Sequence, residues 1–344
     1  MKIDIKNLLT RWQVILVGIV FIGLIAIAYL TFFTPNYFQH KAPVQFDIKN
    51  GETFSSVVNR LYELDIIPNK TNMKIAAFIS GSEKKIRAAR FHIKNGLSYL
   101  ALLDLFTEGE CDFAREIKIK DGQTINWLAY KLEKKVFIDS ADFVSLTEDP
   151  IFLSNLEFPE KTLQGYLFSK EYNVYERSSP EETLIMFYNA FKEFWVDSLQ
   201  KRATELGFSK HEILTLASIV KGETDLQEEM PRIARVYHNR LRIGMRLQAD
   251  PTIKYLLPGG WRKLLYDDLQ IDSPYNTYKY GGLPPGPINN PGKDAIFAAL
   301  YPEDNDYLYF VADGKGKHNF SKTYKQHLRY VNEYRRFIRS QKED

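Results

Sequence analysis

The sequence predicts an α+β protein with one N-terminal transmembrane helix, a series of small strand–helix modules, and then a larger mixed α/β domain. Three observations carry this reading. An uncharged apolar run stands near the N-terminus, a strand–turn–helix pattern recurs three times after it, and helical stripes alternate with Pro- and Gly-rich loops in the second half. The boundaries read along the chain are a cytoplasmic N-terminus over 1–13, a transmembrane helix over 14–33, a module region over 34–135, a connecting segment over 136–178 and a final domain over 179–344.

The run from Val14 to Phe33 carries no charge. About 20 helical residues at 1.5 Å each match a hydrocarbon core roughly 30 Å thick. Lys2, Lys6 and Arg11 precede it against Asp4 alone, so the positive-inside bias leaves the short N-terminus in the cytoplasm and exports the remainder. The rival is a cleaved signal peptide, because Ala26-Ile27-Ala28 is a small-x-small triplet after a charged start. Tyr29 to Phe33 argue against it, since they prolong the apolar run where a cleavage region turns polar.

Composition is that of a folded protein. The 344 residues hold 46 Lys and Arg against 43 Asp and Glu, a net charge of +3, with no long basic block, so nucleic acid is not an expected partner. Cys111 is the only cysteine, which excludes an intrachain disulfide and any cysteine-rich metal site. The histidines at 40, 92, 211, 238, 318 and 327 show no zinc-ligand spacing. Neither a metal nor another cofactor is expected.

The recurring pattern is Phe46-Asp-Ile-Lys-Asn-Gly-Glu-Thr53, Phe91-His-Ile-Lys-Asn-Gly-Leu-Ser98 and Ile117-Lys-Ile-Lys-Asp-Gly-Gln-Thr124. Alternating apolar residues make a short strand, Asn-Gly or Asp-Gly supplies a positive-φ turn, and Thr or Ser caps the helix that follows. These units resemble LysM-like modules, strand–helix units that in many proteins hold glycan chains. They bind glycan or act as a spacer from the membrane. Beyond them, Asp139 to Pro159 reads as mixed and loop-like, and Glu181 to Leu206 reads as one long helix.

The segment Lys210 to Thr224, KHEILTLASIVKGET, is the most informative stretch. Ser209 is the expected N-cap, with Glu212 placed for a capping box. Ile213, Leu216, Ala217 and Val220 define a buried face, and the next position on it is Glu223. A carboxylate there loses hydration, which raises its pKa and suits it to general acid work. Alternatively the helix ends near Gly222 and Glu223 reaches solvent. A second helix is expected from Pro231 through Leu241, followed by a polar segment from Arg242 to an Asp-Pro turn signal at Asp250-Pro251.

Farther on, Ser273-Pro-Tyr-Asn-Thr-Tyr278 and the Pro- and Gly-rich run Gly281 to Pro291 form stiff loops. Tyr275, Asn276 and Tyr278 offer the amide, hydroxyl and aromatic groups that sugars need, unless the loops are plain connectors. Tyr307 to Ala312 reads as a strand entering Asp313-Gly-Lys-Gly-Lys317, either a phosphate cradle without the Walker order or a solvated hairpin turn. Lys325 to Arg339 reads as a basic amphipathic helix.

Leu216-Ala-Ser-Ile-Val-Lys-Gly-Glu-Thr224 and Asn239-Arg-Leu-Arg-Ile-Gly-Met-Arg-Leu-Gln-Ala-Asp-Pro-Thr252 resemble the MltG (YceG-like) family of endolytic murein transglycosylases. The resemblance continues through Tyr275 to Tyr278, Gly282-Leu-Pro-Pro-Gly286, Asn290-Pro-Gly292 and Phe310-Val-Ala-Asp-Gly314 to His318 and Phe320. It spans nearly the whole chain. Two departures stand out: Lys221 replaces a family glutamate, and Leu163-Gln-Gly-Tyr-Leu-Phe-Ser-Lys-Glu-Tyr172 departs from the family's Leu-Glu-Gly-Tyr-Leu-Phe-Pro-Asp-Thr-Tyr.

The resemblance implies a lyase that cleaves the bond between N-acetylmuramic acid and N-acetylglucosamine in nascent glycan strands, leaving 1,6-anhydro ends and ending strand growth. It assigns the catalytic role to Glu223 and makes Gln248, Asp250, Tyr275, Asn276, Thr277, Tyr278 and His318 the expected substrate contacts. It implies a single-pass protein of the cytoplasmic membrane whose catalytic region lies outside, cooperating with peptidoglycan synthases. Two rivals remain: a hydrolase pairing Glu223 with Asp250, and a non-catalytic glycan-binding scaffold.

Overall fold

The computed structural model describes residues 11–257 and 262–343. Lys2, Asp4 and Lys6, which set the expected orientation of the apolar helix, lie outside the described residues. The chain divides into two compact units, Met1–Ala114 and Arg115–Asp344.

The first unit begins with α1 (Arg11–Phe33). Within it Trp12–Phe33, of mean hydropathy 2.8, is long and apolar enough to cross a membrane. There follow β1 (Val44–Asp47), α2 (Phe54–Glu63), α3 (Lys70–Ser80), β2 (Arg90–Ile93) and α4 (Tyr99–Thr107). β1 and β2 pair antiparallel, from Val44 opposite Ile93 to Asp47 opposite Arg90. Their inward residues meet the helices in a core centred on Phe46, Phe91 and Phe106, whose rings stack and cross at 5.0–6.0 Å.

The second unit holds β3 (Ala114–Lys118), α5 (Ile125–Val136), α6 (Ser140–Leu146), α7 (Pro150–Asn155), β4 (Glu171–Tyr175), α8 (Pro180–Phe194), α9 (Asp197–Glu205), α10 (Lys210–Glu223), α11 (Met230–Arg242), α12 (Asp250–Leu256), α13 (Gly292–Leu300), β5 (Tyr309–Ala312), β6 (His318–Ser321) and α14 (Tyr324–Glu343). β3 pairs with β4, and β5 pairs antiparallel with β6. Helix α10 lies at the centre, in contact with α9, α11, α12 and α13. The described chain is thus mixed α/β, with strands only in two-stranded sheets.

Each recurring segment folds as its spacing predicts. Gly51, Gly96 and Gly122 take φ of +78°, +84° and +82°, and the side-chain oxygens of Thr53, Ser98 and Thr124 accept from the third amide onward. The third unit nevertheless belongs to the second body, because Ile117, Ile119, Leu128 and Leu132 pack in the same core as Tyr166 and Ile213.

Three local expectations change, and one stated alternative is resolved. The 139–159 segment contains α6 and α7, two helices too short to show a period, started by Asp139 and Asp149 as side-chain caps. The single helix expected from Glu181 breaks at Trp195 and Val196 into α8 and α9, so that Leu199 and Ala203 also reach the core. Asp250-Pro251 opens α12, with proline in the first turn where its missing N–H costs nothing. The glycine–lysine segment is a hairpin turn: the Asp313 carboxylate accepts from the Lys315 and Lys317 amides, which removes them as phosphate donors.

Candidate active site

Helix α10 starts on the expected capping box, with Ser209 N–H donating to Glu212 Oε2 at 2.7 Å and Glu212 N–H donating to Ser209 Oγ at 3.2 Å. Every residue from Ile213 to Val220 is buried, more than one stripe, because neighbouring helices enclose the element. The helix ends at Glu223, and Thr224 leaves it extended. Glu223 is half-buried there, with neighbouring side chains withdrawing its carboxyl from water.

Gly222 makes that enclosure possible. A Cβ there would lie 2.5 Å from Pro251 Cβ, so only glycine lets the first turn of α12 close on the end of α10. That approach brings Asp250 and Lys254 within range of the Glu223 charge. From the buried face of α11, the Tyr237 hydroxyl donates to Glu223 Oε1 at 2.5 Å.

Burial pushes the Glu223 carboxyl up to about 7; the Tyr237 bond opposes this, Asp250 adds to it, and Lys254 and Arg240 oppose it. Both protonation states are therefore accessible near neutral pH, as a group that both gives and takes a proton requires. Burial, and then the facing Glu223, hold the Tyr237 hydroxyl well above its ordinary range, so it remains a donor.

Glu223 opens into a cavity of about 260 Å³ that Asp121, Lys221 and Asn289 also line. A groove of about 660 Å³ shares Asp121 and Asn289 with it and passes Lys254 and Tyr255 to Trp127 and Tyr130 on α5. The turn at Asp121-Gly122 is fixed beside α10, with Gly122 N–H donating to Asn290 O at 2.7 Å and Asn290 N–H donating to Gln123 O at 2.8 Å. Lys221, where the resemblance leads one to expect a glutamate, donates to Asp225 and lies against Gly122, where a Cβ would meet its Cε at 3.4 Å. Gln164 accepts from Ile125 N–H at 3.0 Å and so holds the start of α5.

The expected contact residues separate into two groups. Gln248 is exposed, and Asp250 accepts from the Tyr278 hydroxyl at 2.6 Å beside Glu223. The Tyr275 ring lies 5.1 Å from Tyr255, a residue of the groove wall. Asn276 and Thr277 are different. Asn276 is fully buried, donating to Leu269 O and Ile271 O and accepting from Tyr278 N–H. Thr277 accepts from Ala249 N–H and bonds Thr252 Oγ1. Their polar groups shape the loop from within rather than face the cavity. His318 lines neither space, since its Nδ1 pairs with the buried Glu229 carboxylate at 2.7 Å.

The Pro-rich loop likewise turns inward, with Ile288 N–H donating to Ser218 Oγ and Asn289 Nδ2 donating to Ser218 O, and so clamps α10. Sequence reasoning missed Tyr237, Gly222 and Asn289. The available signal was a tyrosine within the apolar stripe of α11, since a buried hydroxyl needs a partner. Among the described residues no cluster of His, Cys, Asp and Glu suits a metal ion.

Comparison with known proteins places the chain in a family. Residues 46–333 match the YceG-like family. An endolytic murein transglycosylase of Bacillus subtilis is 30% identical over 308 residues, 86% of this chain and 85% of that protein. One of Streptococcus pneumoniae is 30% identical over 280 residues, 72% of this chain and 51% of the longer relative. A crystallised putative YceG-like protein of Listeria monocytogenes superposes with a TM-score of 0.58 at 29% identity, covering 84% of this chain and 99% of that one. With the match spanning residues of both units, the chain belongs to the YceG-like family.

Proposed function

We propose that this protein is a membrane-anchored endolytic murein transglycosylase in which Glu223 alone serves as acid and then base. The observation that carries the reading is the enclosed Glu223 carboxyl, held by Tyr237 and pushed up to about 7. The relatives in Bacillus subtilis and Streptococcus pneumoniae carry the same activity in their names.

Protonated Glu223 gives its proton to the oxygen joining N-acetylmuramic acid to the next N-acetylglucosamine, and the bond from the muramoyl C1 to that oxygen breaks. The resulting carboxylate accepts the proton of the muramoyl C6 hydroxyl as its oxygen closes on C1. One product ends in a 1,6-anhydro ring, the other in a free 4-hydroxyl, and Glu223 regains its starting proton without water being consumed. Tyr237 fits both halves, since its hydroxyl holds the carboxyl in place and stabilises the ionised form. A hydrolase needs a second carboxylate to act on water or sugar. Asp250 is instead occupied by the Tyr278 hydroxyl, which supports a positioning role.

The groove supports a glycan as the ligand: Trp127 and Tyr130 are half-exposed on its wall, and flat rings of this kind pack on sugar faces. In the first unit, the antiparallel β1–β2 pair with α2 and α3 between its strands supports the LysM-like reading of the module region. Helix α1 supports the anchor, and the basic residues ahead of it favour export of both units to the outer face of the cytoplasmic membrane, where nascent strands and their synthases meet.

The test is full-length protein against Glu223→Gln on uncrosslinked glycan strands, with mass analysis of the ends. Anhydro ends that disappear in the variant are expected. Reducing ends would establish the hydrolase, and intact strands retained equally by both proteins would establish the scaffold.

A further inference from the structure

Helix α3 carries apolar side chains on two opposite faces. Met73, Ala76 and Ala77 are buried in the first core, whereas Ile75, Phe78 and Ile79 point away from it and are 43%, 81% and 68% exposed. Their i, i+3, i+4 spacing makes a single outward stripe. Near it in sequence Lys74, Lys84 and Lys85 are exposed, with Glu83 as the one acid among them, while the Lys70 ammonium lies over the Tyr62 ring. Clustered outward apolar residues flanked by cations mark a surface with a partner.

The position of α3 identifies that partner. α1 touches α3 and α4, and in its last turn Thr31 and Phe32 are half-buried, Phe32 against the first core. The chain leaving α1 is clamped. Asn36 donates to Leu97 O through its N–H at 3.0 Å and its Nδ2 at 3.1 Å, and Gly96 N–H donates to Asn36 O at 3.0 Å. The Asn95 side chain accepts from Phe38 N–H at 3.0 Å and donates to Phe38 O at 2.9 Å. α3 is therefore held beside the point where the apolar helix ends.

We propose that the Ile75–Phe78–Ile79 stripe is seated in the lipid interface of the membrane that α1 crosses, a second contact that rests on the reading of α1 as an anchor. Phenylalanine and isoleucine suit the boundary of headgroups and acyl chains, and the lysines beside them reach anionic headgroups on flexible stems. The consequence is orientational. A single helix leaves its domain free to rotate about the membrane normal and to tilt; a second contact at α3 sets the tilt of the first unit.

The experiment uses the full chain in proteoliposomes of phosphatidylcholine and phosphatidylglycerol, in a Cys111→Ser background. Single substitutions Ile22→Cys, Phe78→Cys and Asn50→Cys carry an environment-sensitive fluorophore, and lipids bearing nitroxides at shallow or deep positions act as quenchers. Asn50 is the control, because the β1–β2 register places its turn at the end of the sheet opposite the α1 exit. The expected result is deep quenching at 22, shallow quenching at 78 several-fold stronger than at 50, and a blue-shifted emission at 78. If 78 behaves like 50 while 22 is quenched, the anchor stands and the interfacial stripe is overturned, as a protein partner on that stripe would also produce in lipid alone. If 22 is unquenched, the anchor reading fails and the stripe falls with it.

Discussion

The first and third strand–turn–helix segments carry nearly the same local instruction and end in different roles. Phe46 to Thr53 and Ile117 to Thr124 both fold as a short strand, a left-handed glycine and a capped helix. In the first, a Cβ on Gly51 would meet nothing within 4 Å, and the turn projects into open space. In the third, the turn is tied to Asn290, Gly122 lies against Lys221, and Asp121 lines the Glu223 cavity. The motif fixes a backbone shape; what that shape meets decides whether it is scaffold or active-site wall.

The largest expected effect tests the other wall of that cavity. Glu223→Gln should lower strand cleavage by about 10²–10⁴-fold, the range for removal of a general acid–base, read as anhydro ends. The pH dependence follows from the same burial. A carboxyl raised to about 7 keeps its proton well above the ordinary carboxyl range, so the acid-dependent limb should fall near 7. A limb near ~4.3, the unperturbed value, would count against enclosure. The linked stability has the corresponding sign: it is fully present below the unfolded pKa and is lost as pH rises through about 7, so Glu223→Gln should melt higher than wild type at alkaline pH.

Tyr237→Phe removes a bond that favours the ionised carboxylate. Cleavage should drop about tenfold, in keeping with the loss of one charge-assisted hydrogen bond, and the acid limb should move to higher pH. A loss of rate with an unmoved limb would mean that Tyr237 only supports packing.

The two turns can then be compared directly. Gly51→Ala and Gly122→Ala each force a side chain into the left-handed region and should cost about 1 kcal/mol by denaturant melting. Only Gly122→Ala should also slow cleavage, by a few fold, because strain in its turn passes to Asp121 on the cavity wall, the added Cβ itself meeting Lys221 only at ordinary van der Waals distance. Equal activity in both variants would remove the third turn from the site. The smallest effect is expected for Trp127→Ala, a rise in KM of about threefold with kcat kept, as for loss of uniform substrate binding; a fall in kcat alone would break the groove reading.

Much of the fold was legible because local rules dominate locally. The three turns, the Ser209 capping box and the apolar run follow from neighbours in sequence. The short helices α6 and α7 were not legible, because six or seven residues show no period, and their Asp caps resemble loop residues. At the site the proposed acid stood out in sequence as a carboxylate on an apolar stripe, beside the alternative that it reaches solvent. Asn276, Thr277 and His318, expected as substrate contacts, bond the chain itself in this structure, since a polar side chain in sequence looks the same whether it bonds a ligand or the loop that carries it.

The sequence by itself determined the apolar span, the repeated turns, the start of α10 and the position of Glu223, all through interactions within a few residues. Tertiary structure decided that the third repeat joins the second unit, that Gly222 admits Pro251, and that Tyr237 finds Glu223 from another helix. The physical reason is that a carboxyl group's proton affinity depends on which atoms exclude water from it. Those atoms come from α10, α11 and α12, and only folding brings them together.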